Sequence, residues 1–293
     1  MTDSPTPKVS VITPSYNFVD FIRRSYLMLL NQSFKDWEWV FIDDGSQDKT
    51  WEIIREISAS DNRVKPIKLE KNMGRGFARN FAVKKASSNI IVIWDVDDLY
   101  CANRLNEIYY FIGEKKYDFF YSDALVVDMG FNIVGATNST SLFKKSTPVF
   151  RHPSLAFNKH ALTGIGYNAD MRAGEDLEVM LFLQIKCKGY HSRNYHLLYV
   201  QDREVNVRKT YTMNLAHIQS IYNLTKIGII KKYDGVIKII KLLMRQAVFT
   251  TLILFPNIYL LSVKWRKSDS PSLLRIDSEV LNVVNLVNHD VKP

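Results

Sequence analysis

The stretch Ile90-Ile91-Val92-Ile93-Trp94-Asp95-Val96-Asp97-Asp98 most restricts how this chain can fold. An unbroken apolar run rich in β-branched residues suits a strand covered on both faces, as in a mainly parallel sheet. Three carboxylates follow within four positions. At the carboxyl end of a central strand they face the crevice where open α/β sheets bind ligands, and hard oxygen donors there suit Mg2+ or Mn2+ holding a phosphate. An isolated D-x-D also fits an ordinary acidic turn, so its meaning depends on its surroundings.

Upstream, the pattern alternates. Lys8 to Pro14 reads as a first strand, with pairing expected to end at Pro14, which has no N–H to give a ladder. Ser15-Tyr16-Asn17 is a turn. Phe21, Ile22, Ser25 and Leu29 recur at helical spacing, with Arg23 and Arg24 on the opposite, solvent side. Trp37 to Ile42 is a second strand entering the turn Asp43-Asp44-Gly45-Ser46, and Asp48 is placed to cap a helix carrying Trp51, Ile54 and Ile57. Val64 to Leu69 is a third strand, and Gly74-Arg75-Gly76 opens a third helix. Such alternation predicts an α/β fold of parallel strands joined by right-handed crossovers, which gathers Thr13 to Asn17, Asp43 to Ser46 and Asp95 to Asp98 at one sheet edge. Beyond Leu99 the alternation weakens, with a helix near Arg104 to Ile112, a strand at Phe119 to Ser122, and a helix after Arg172-Ala173-Gly174-Glu175-Asp176.

A chain of 293 residues with 46% hydrophobic content can bury one large core plus a smaller appendage. Cys101 and Cys187 are too few for a disulfide framework or a metal set, which points to a reducing compartment. Met1 to Pro7 lacks the apolar run of a secretory signal, so a cytoplasmic catalytic part is expected. The net charge of +9 suits nucleic acid, anionic lipid or a phosphorylated small molecule. Nucleic acid is disfavoured, because the cations lie beside an apolar carboxyl-terminal stretch and are not interleaved with aromatics on one platform. His152, His160, His191, His196 and His217 show no metal spacing, and Gly74-x-Gly76 is no dinucleotide fingerprint.

The segments "VSVITPSYN", "LNQSFKDWEWVFIDDGSQDKT", "NMGRGFARN", "WDVDD" and "RAGEDLEVMLFL", in that order across Lys8 to Gln184, resemble the inverting family 2 glycosyltransferases of the GT-A fold. The resemblance implies a mainly parallel central sheet flanked by helices, with a sugar-nucleotide donor, a UDP-sugar favoured, lying across its carboxyl edge. Thr13, Pro14 and Tyr16 would then touch the base and ribose. Asp44, with Asp43 second, would read the pyrimidine edge, and Arg79 would approach the diphosphate. Asp95-Val96-Asp97 resembles the family's D-x-D, with Asp97 as metal ligand and Asp98 in support, the cofactor being Mg2+ or Mn2+. Trp94 stands where a smaller aliphatic residue is often found. Glu175-Asp176 resembles the family's acidic pair, with Asp176 as general base; the alternative is that Asp176 caps the helix and Glu175 is the base. Arg208, in a segment that closes over the donor in related enzymes, is placed to reach the diphosphate. The acceptor implied is a glycan or a lipid-linked glycan. A nucleotidyltransferase would share the acidic site, but should carry a glycine-rich basic loop after the first strand, which Thr13 to Asn17 is not; a catalytically inactive GT-A scaffold is the other alternative.

Residues 1–220 are expected to form the catalytic domain and 221–293 a helical, basic and apolar region. In the latter, Lys231, Lys238, Lys241 and Arg245 share a helical stripe, while Val236, Ile237, Ile240, Leu243 and Met244 supply an apolar face. The uncharged Ala247 to Val263 is short for a span and is interrupted by Pro256-Asn257, so a dip into one leaflet is expected. The setting expected is therefore the cytoplasmic face of the inner (plasma) membrane, with the anionic lipid surface as a partner.

Overall fold

A computed structural model describes residues 6–137, 150–171, 173–200, 207–254 and 283 of the chain. Strands β1 (Val9–Ser15), β2 (Trp37–Asp43), β3 (Val64–Lys68) and β4 (Ile90–Ile93) run parallel, in the spatial order β3-β2-β1-β4. Beyond β4 the sheet continues through β8 (Ala156–Asn158), β6 (Phe119–Val127), β9 (Gly189–Val200) and β5 (Leu99–Tyr100), while β7 (Ile133–Thr137) pairs with β6. β8 is antiparallel to both β4 and β6, so the sheet changes from parallel to mixed immediately beside the strand that carries the acidic run.

β4 is buried at all four positions, as a strand covered on both faces requires. On one face Val11, Trp39, Val92 and Trp94 pack with α1 (Ile22–Leu30), α2 (Thr50–Ser60) and α4 (Arg104–Ile108). On the other, Ile12, Ile42, Ile91 and Ile93 meet Ala78 and Ala82 of α3 (Arg75–Lys85) and Val179, Met180 and Leu183 of α5 (Leu177–Lys186). α5 is apolar nearly all round because it is sandwiched: Leu181, on its outer side, joins a third cluster with Ile221 and Leu224 of α6 (Val207–Lys226) and Leu242 of α7 (Lys232–Leu254). α6 runs without a break through position 220.

Two local expectations are revised. β1 extends past Pro14, whose partner is Ile42, to Ser15 opposite Asp43. The Ile12 carbonyl accepts from Trp94 on the β4 side, so by alternation the Pro14 nitrogen also faces that side, where the β1–β4 ladder has already ended and no N–H is needed. Arg24 is half-buried and not free in solvent: its guanidinium lies 5.0 Å from the Phe21 ring and 5.3 Å from that of Phe131, and Nη2 is 3.5 Å from the Asp97 carbonyl.

Thr13 ties the strands together at the site end of the sheet. Its fully buried hydroxyl donates to the Trp94 carbonyl at 2.6 Å and accepts the Trp39 indole N–H at 2.8 Å. Thr13→Val keeps the shape and strands both partners, so a loss of about 1–3 kcal/mol in stability is expected, read as a lowered urea midpoint with unchanged slope.

Candidate active site

The loops that follow β1, β2 and β4 meet at one edge, and each acidic group there has a distinct environment. Asp43 is fully buried and accepts the Ser46 N–H at 2.9 Å, which sets the turn after β2. The Asp44 oxygens accept the Met73 and Gly74 N–H groups at 2.7 and 2.9 Å, fastening the start of α3, and burial raises its pKa. Thr13 is enclosed, Pro14 is half-buried, and Tyr16 is 40% exposed, so Tyr16 is the member of that turn with a free aromatic face.

Asp95 and Asp97 are both half-buried, while Val96 between them points into the core. Burial and then the neighbouring Asp95 raise the Asp97 pKa, with Arg24 and Arg75 opposing. Asp98 turns inward instead. It is 3% exposed and accepts the Val200 N–H at 3.0 Å, and burial followed by Asp97 and Asp95 holds its pKa well above the usual carboxylate range. Beneath it lies Arg104, fully buried, which donates to the Ile93 and Pro153 carbonyls at 3.0 and 2.7 Å and stacks 4.4 Å from the Tyr100 ring. Arg104 thereby braces the acidic turn from inside; an arginine at the first position of a helix gives no sign of this in sequence.

The acceptor-side pair reaches the same place through α3. Gly174, at φ +73, makes the sharp turn before Glu175, and a Cβ there would come within 2.7 Å of the Ala216 Cβ on α6. Glu175, 2% exposed, is gripped by two arginines: Arg79 Nη1 binds Oε1, and Arg75 Nε lies 3.3 Å from the same oxygen. Arg79 is itself 3% exposed, and Nη2 sits 3.4 Å from Asp95 Oδ1. Burial disfavours its charge, but Asp95 and Glu175 outweigh that and raise its pKa. Arg79 therefore joins the D-x-D to the Glu175 turn in the interior, and the accessible guanidinium of the pair that binds Glu175 is Arg75, whose side chain is 60% exposed.

Asp176 precedes α5 and caps no N–H with its side chain. Burial and then the charge of Glu175 push its pKa up to about 6, with Arg79 opposing. The two neighbouring carboxylates thus have different surroundings: Glu175 is bound by guanidinium donors, while Asp176 is half-buried with its pKa raised.

The turn bearing them is clamped by residues that sequence reasoning passed over. Asn80 donates to the Tyr167 carbonyl at 2.8 Å and accepts its N–H at 2.9 Å, and the Tyr167 ring lies 5.6 Å from the Arg79 guanidinium. His152 Nε2 is 3.0 Å from the Tyr167 hydroxyl; burial and then Arg79 and Arg75 push its pKa well down, so the ring is neutral. A Cβ at Gly76 would come within 2.4 Å of the Asn168 carbonyl oxygen, so only glycine lets α3 approach this loop so closely. Within "GRGFARN", spacing alone cannot separate a ligand-facing arginine from one that holds a loop. Arg208 is the second residue of α6, but its side chain, like residues 201–206, lies outside the described residues.

Among the described residues no three His, Cys, Asp or Glu side chains close into a metal cage. The half-buried Asp95 and Asp97 still fit a divalent cation, because Mg2+ and Mn2+ at phosphate sites are held by one or two carboxylates, with substrate and water supplying the rest. Removing Arg79 would leave Glu175 buried without its closest partner. Arg79→Ala should cost about 3–5 kcal/mol in stability, measured by chemical denaturation.

Residues 10–170 match the family described as Glycosyl transferase family 2. Among curated proteins the chain is 35% identical over 116 residues to the putative teichuronic acid biosynthesis glycosyltransferase TuaG of Bacillus subtilis, a match covering 40% of this chain and 46% of that protein. It is 29% identical over 191 residues to UDP-Glc:alpha-D-GlcNAc-diphosphoundecaprenol beta-1,3-glucosyltransferase WfaP of Escherichia coli, covering 65% of this chain and 74% of that one. The chain spans about half the length of several curated relatives it matches. Solved structures agree on the fold. S. aureus TarS 1–349 in complex with UDP-GlcNAc superposes with TM-score 0.61 at 21% identity, over 80% of this chain and 71% of that chain. The mannosyltransferase PcManGT from Pyrobaculum calidifontis, in complex with GDP-Man and Mn2+, gives TM-score 0.58 at 15% identity over 99% and 89%. With more than half of the sequence matched, and with β2 to β4, all but the first residue of β1 and the acidic turn inside the match, the chain belongs to glycosyl transferase family 2 and has its GT-A fold.

Proposed function

We propose that the protein is an inverting glycosyltransferase that moves a sugar from a nucleotide-diphosphate donor, a UDP-sugar favoured, to a hydroxyl of a glycan or lipid-linked acceptor. The observation that carries this reading is the junction at Arg79. One guanidinium under the cleft bonds both Asp95 of the D-x-D and Glu175 of the acceptor-side turn, which brings a pair of half-buried carboxylates and a carboxylate with pKa about 6 to one site. TuaG and WfaP, named for teichuronic acid synthesis and for a diphosphoundecaprenol acceptor, support surface-polysaccharide assembly, and the TarS complex supports a UDP-sugar.

In this reading Tyr16 offers its exposed ring to the base, and Asp44, whose oxygens already fasten Met73 and Gly74, lines the base site beside Asp43. Asp97 with Asp95 would hold Mg2+ or Mn2+, which when bound neutralises charge developing on the diphosphate; Asp98, with one oxygen on the Val200 N–H, supports the turn from behind. Arg75, exposed and close enough to act electrostatically on both Asp97 and Asp176, is the cation of α3 best placed to meet the diphosphate, with Arg79 fixing the geometry below. Asp176 takes the proton from the acceptor hydroxyl as its oxygen bonds to the anomeric carbon. The bond from that carbon to the diphosphate breaks on the opposite face, the nucleoside diphosphate leaves with the electron pair, and an α-linked donor yields a β-linked product. We place the work at the cytoplasmic face of the plasma membrane, with residues 1–220 as the catalytic part and 221–293 as the membrane-associating part. Among the described residues no helix is long and apolar enough to cross a membrane.

Asp176→Asn should leave donor affinity by calorimetry unchanged and lower transfer by roughly 10²–10⁴. In the parent protein kcat/KM should fall about tenfold per pH unit below about 6, as the base is protonated. The stability sign is opposite. A carboxylate whose pKa rises on folding costs nothing below about pH 4 and its full amount above about 6. The same substitution should therefore raise the urea midpoint at pH 8 and not at pH 4. Loss of donor binding together with activity would instead put Asp176 in the nucleotide site.

Asp97→Asn should lower turnover by several orders of magnitude with the fold intact by circular dichroism. EDTA should abolish transfer and added Mn2+ restore it. Full transfer in EDTA, with metal content checked, would remove the metal from this reading.

A further inference from the structure

α6 and α7 form an antiparallel pair whose inner contacts are Asn214 with Gln246 and Thr225 with Gly235. Against that seam, one face of α7 is apolar and open: Tyr233, Val236, Ile240, Leu243 and Met244 are 49–77% exposed, at the three- and four-residue spacing of a single helical stripe. α6 has its own stripe. Tyr211, Leu215 and Tyr222 are 47–54% exposed, again at helical spacing. At about 100° per residue the centres of the stripes lie roughly a fifth of a turn from the seam on α6 and a third on α7, in the same rotational sense, which in antiparallel helices turns both toward one side of the pair. Eight large, half-exposed or more exposed apolar side chains thus lie on the outward sides of the pair.

Charge decides what such a surface meets. Residues 207–254 hold eight Lys or Arg against one acid, Asp234, so most of the chain's net +9 lies on this pair. Lys226, Lys231, Lys232 and Lys241 are exposed around the apolar face. Two copies meeting through it would bring like charges together, whereas an anionic bilayer takes up the apolar stripes and pairs with the surrounding lysines.

We propose that the apolar side of the α6–α7 pair is a docking face for an anionic lipid bilayer, continuous across residue 220 and built from both helices. It deepens the membrane reading above and rests on it. α6 also touches the catalytic turn: Ala216 limits the space at Gly174, and Asn223 donates to Glu178 of α5 at 2.7 Å. The helix that supplies part of the lipid face therefore fixes Asp176 relative to the bilayer, so that a hydroxyl on a lipid-linked acceptor meets the base near the headgroup layer.

The test is flotation of the full-length chain with vesicles of phosphatidylglycerol and phosphatidylcholine, set against phosphatidylcholine alone. The parent protein should float only with the anionic vesicles. Ile240→Glu combined with Leu243→Glu should lower the partition coefficient roughly a hundredfold or more, and Leu215→Glu with Tyr222→Glu should do the same from the other helix. Both variants should keep nucleotide binding by calorimetry and transfer to a short water-soluble acceptor, so failure of the docking face and failure of the catalytic reading are told apart. Flotation unchanged in both variants would overturn the proposal. So would a parent dimer in light scattering that both variants dissociate, which would make the face a contact between copies. Unchanged flotation with a lowered melting temperature would overturn it too, showing the face to be covered by the chain's own residues 255–282.

Discussion

The site depends on one buried cation. Arg79 lies at 3% exposure between Asp95 and Glu175, where neither carboxylate can be left unpaired without a cost of several kcal/mol. The two acids come from opposite parts of the chain. Asp95 ends a strand of the parallel half, and Glu175 sits on a loop after the sheet has become mixed. A single guanidinium has the planar donors to bind both, which a lysine ammonium would do less specifically. Around it Asn80, Tyr167 and His152 form an uncharged shell: two hydrogen bonds between Asn80 and the Tyr167 backbone, a ring beside the guanidinium, and a neutral imidazole on the phenol. Together these contacts fix the loop at Tyr167 beside the Arg79 guanidinium.

The same pairing explains why adjacent acids behave differently. Glu175 is bound by Arg79 and Arg75, and its charge then acts on Asp176, one residue away, which is half-buried and has no capping bond to stabilise its anion. The Asp176 pKa rises to about 6 for these reasons, first burial and then Glu175. The guanidinium groups that bind Glu175 come from α3, a helix nearly a hundred residues away in sequence.

Sequence resolved the frame well because the frame rests on local pattern. The β-branched run from Ile90 to Ile93 suits a doubly covered strand, and parallel strands place the three polar turns at one edge. Burial direction was not legible in the same way. Arg24 occupies the polar side of an amphipathic pattern yet folds over Phe21 and Phe131 toward Asp97, with its guanidinium beside both rings and Nη2 directed at the Asp97 main-chain carbonyl. Arg104 reads as an ordinary helical residue and is fully enclosed. Within "ARN" and "DVDD", sequence order cannot say which arginine faces the cleft, or that Asp98 turns inward to the Val200 N–H while Asp97 stays half-open. Those outcomes are set by β9 and by the loop after Ile165, far along the chain.

The direction of burial also sets how the helical pair relates to the catalytic part. α5 spends its two sides on different partners, Val179, Met180 and Leu183 on the sheet and Leu181 on α6 and α7. A helix with no polar side cannot be an outer layer, so α6 and α7 are required as its cover whatever else they do. Their inward faces satisfy that requirement through Ile221, Leu224, Ile230 and Leu242. The apolar residues turned outward are then a surplus that core formation does not explain, and a surplus bordered by lysines is what a peripheral lipid-binding surface requires. If the face docks as proposed, covering α5 and meeting the bilayer are opposite sides of the same two helices, so the depth of docking and the position of the Glu175-Asp176 turn would not vary independently.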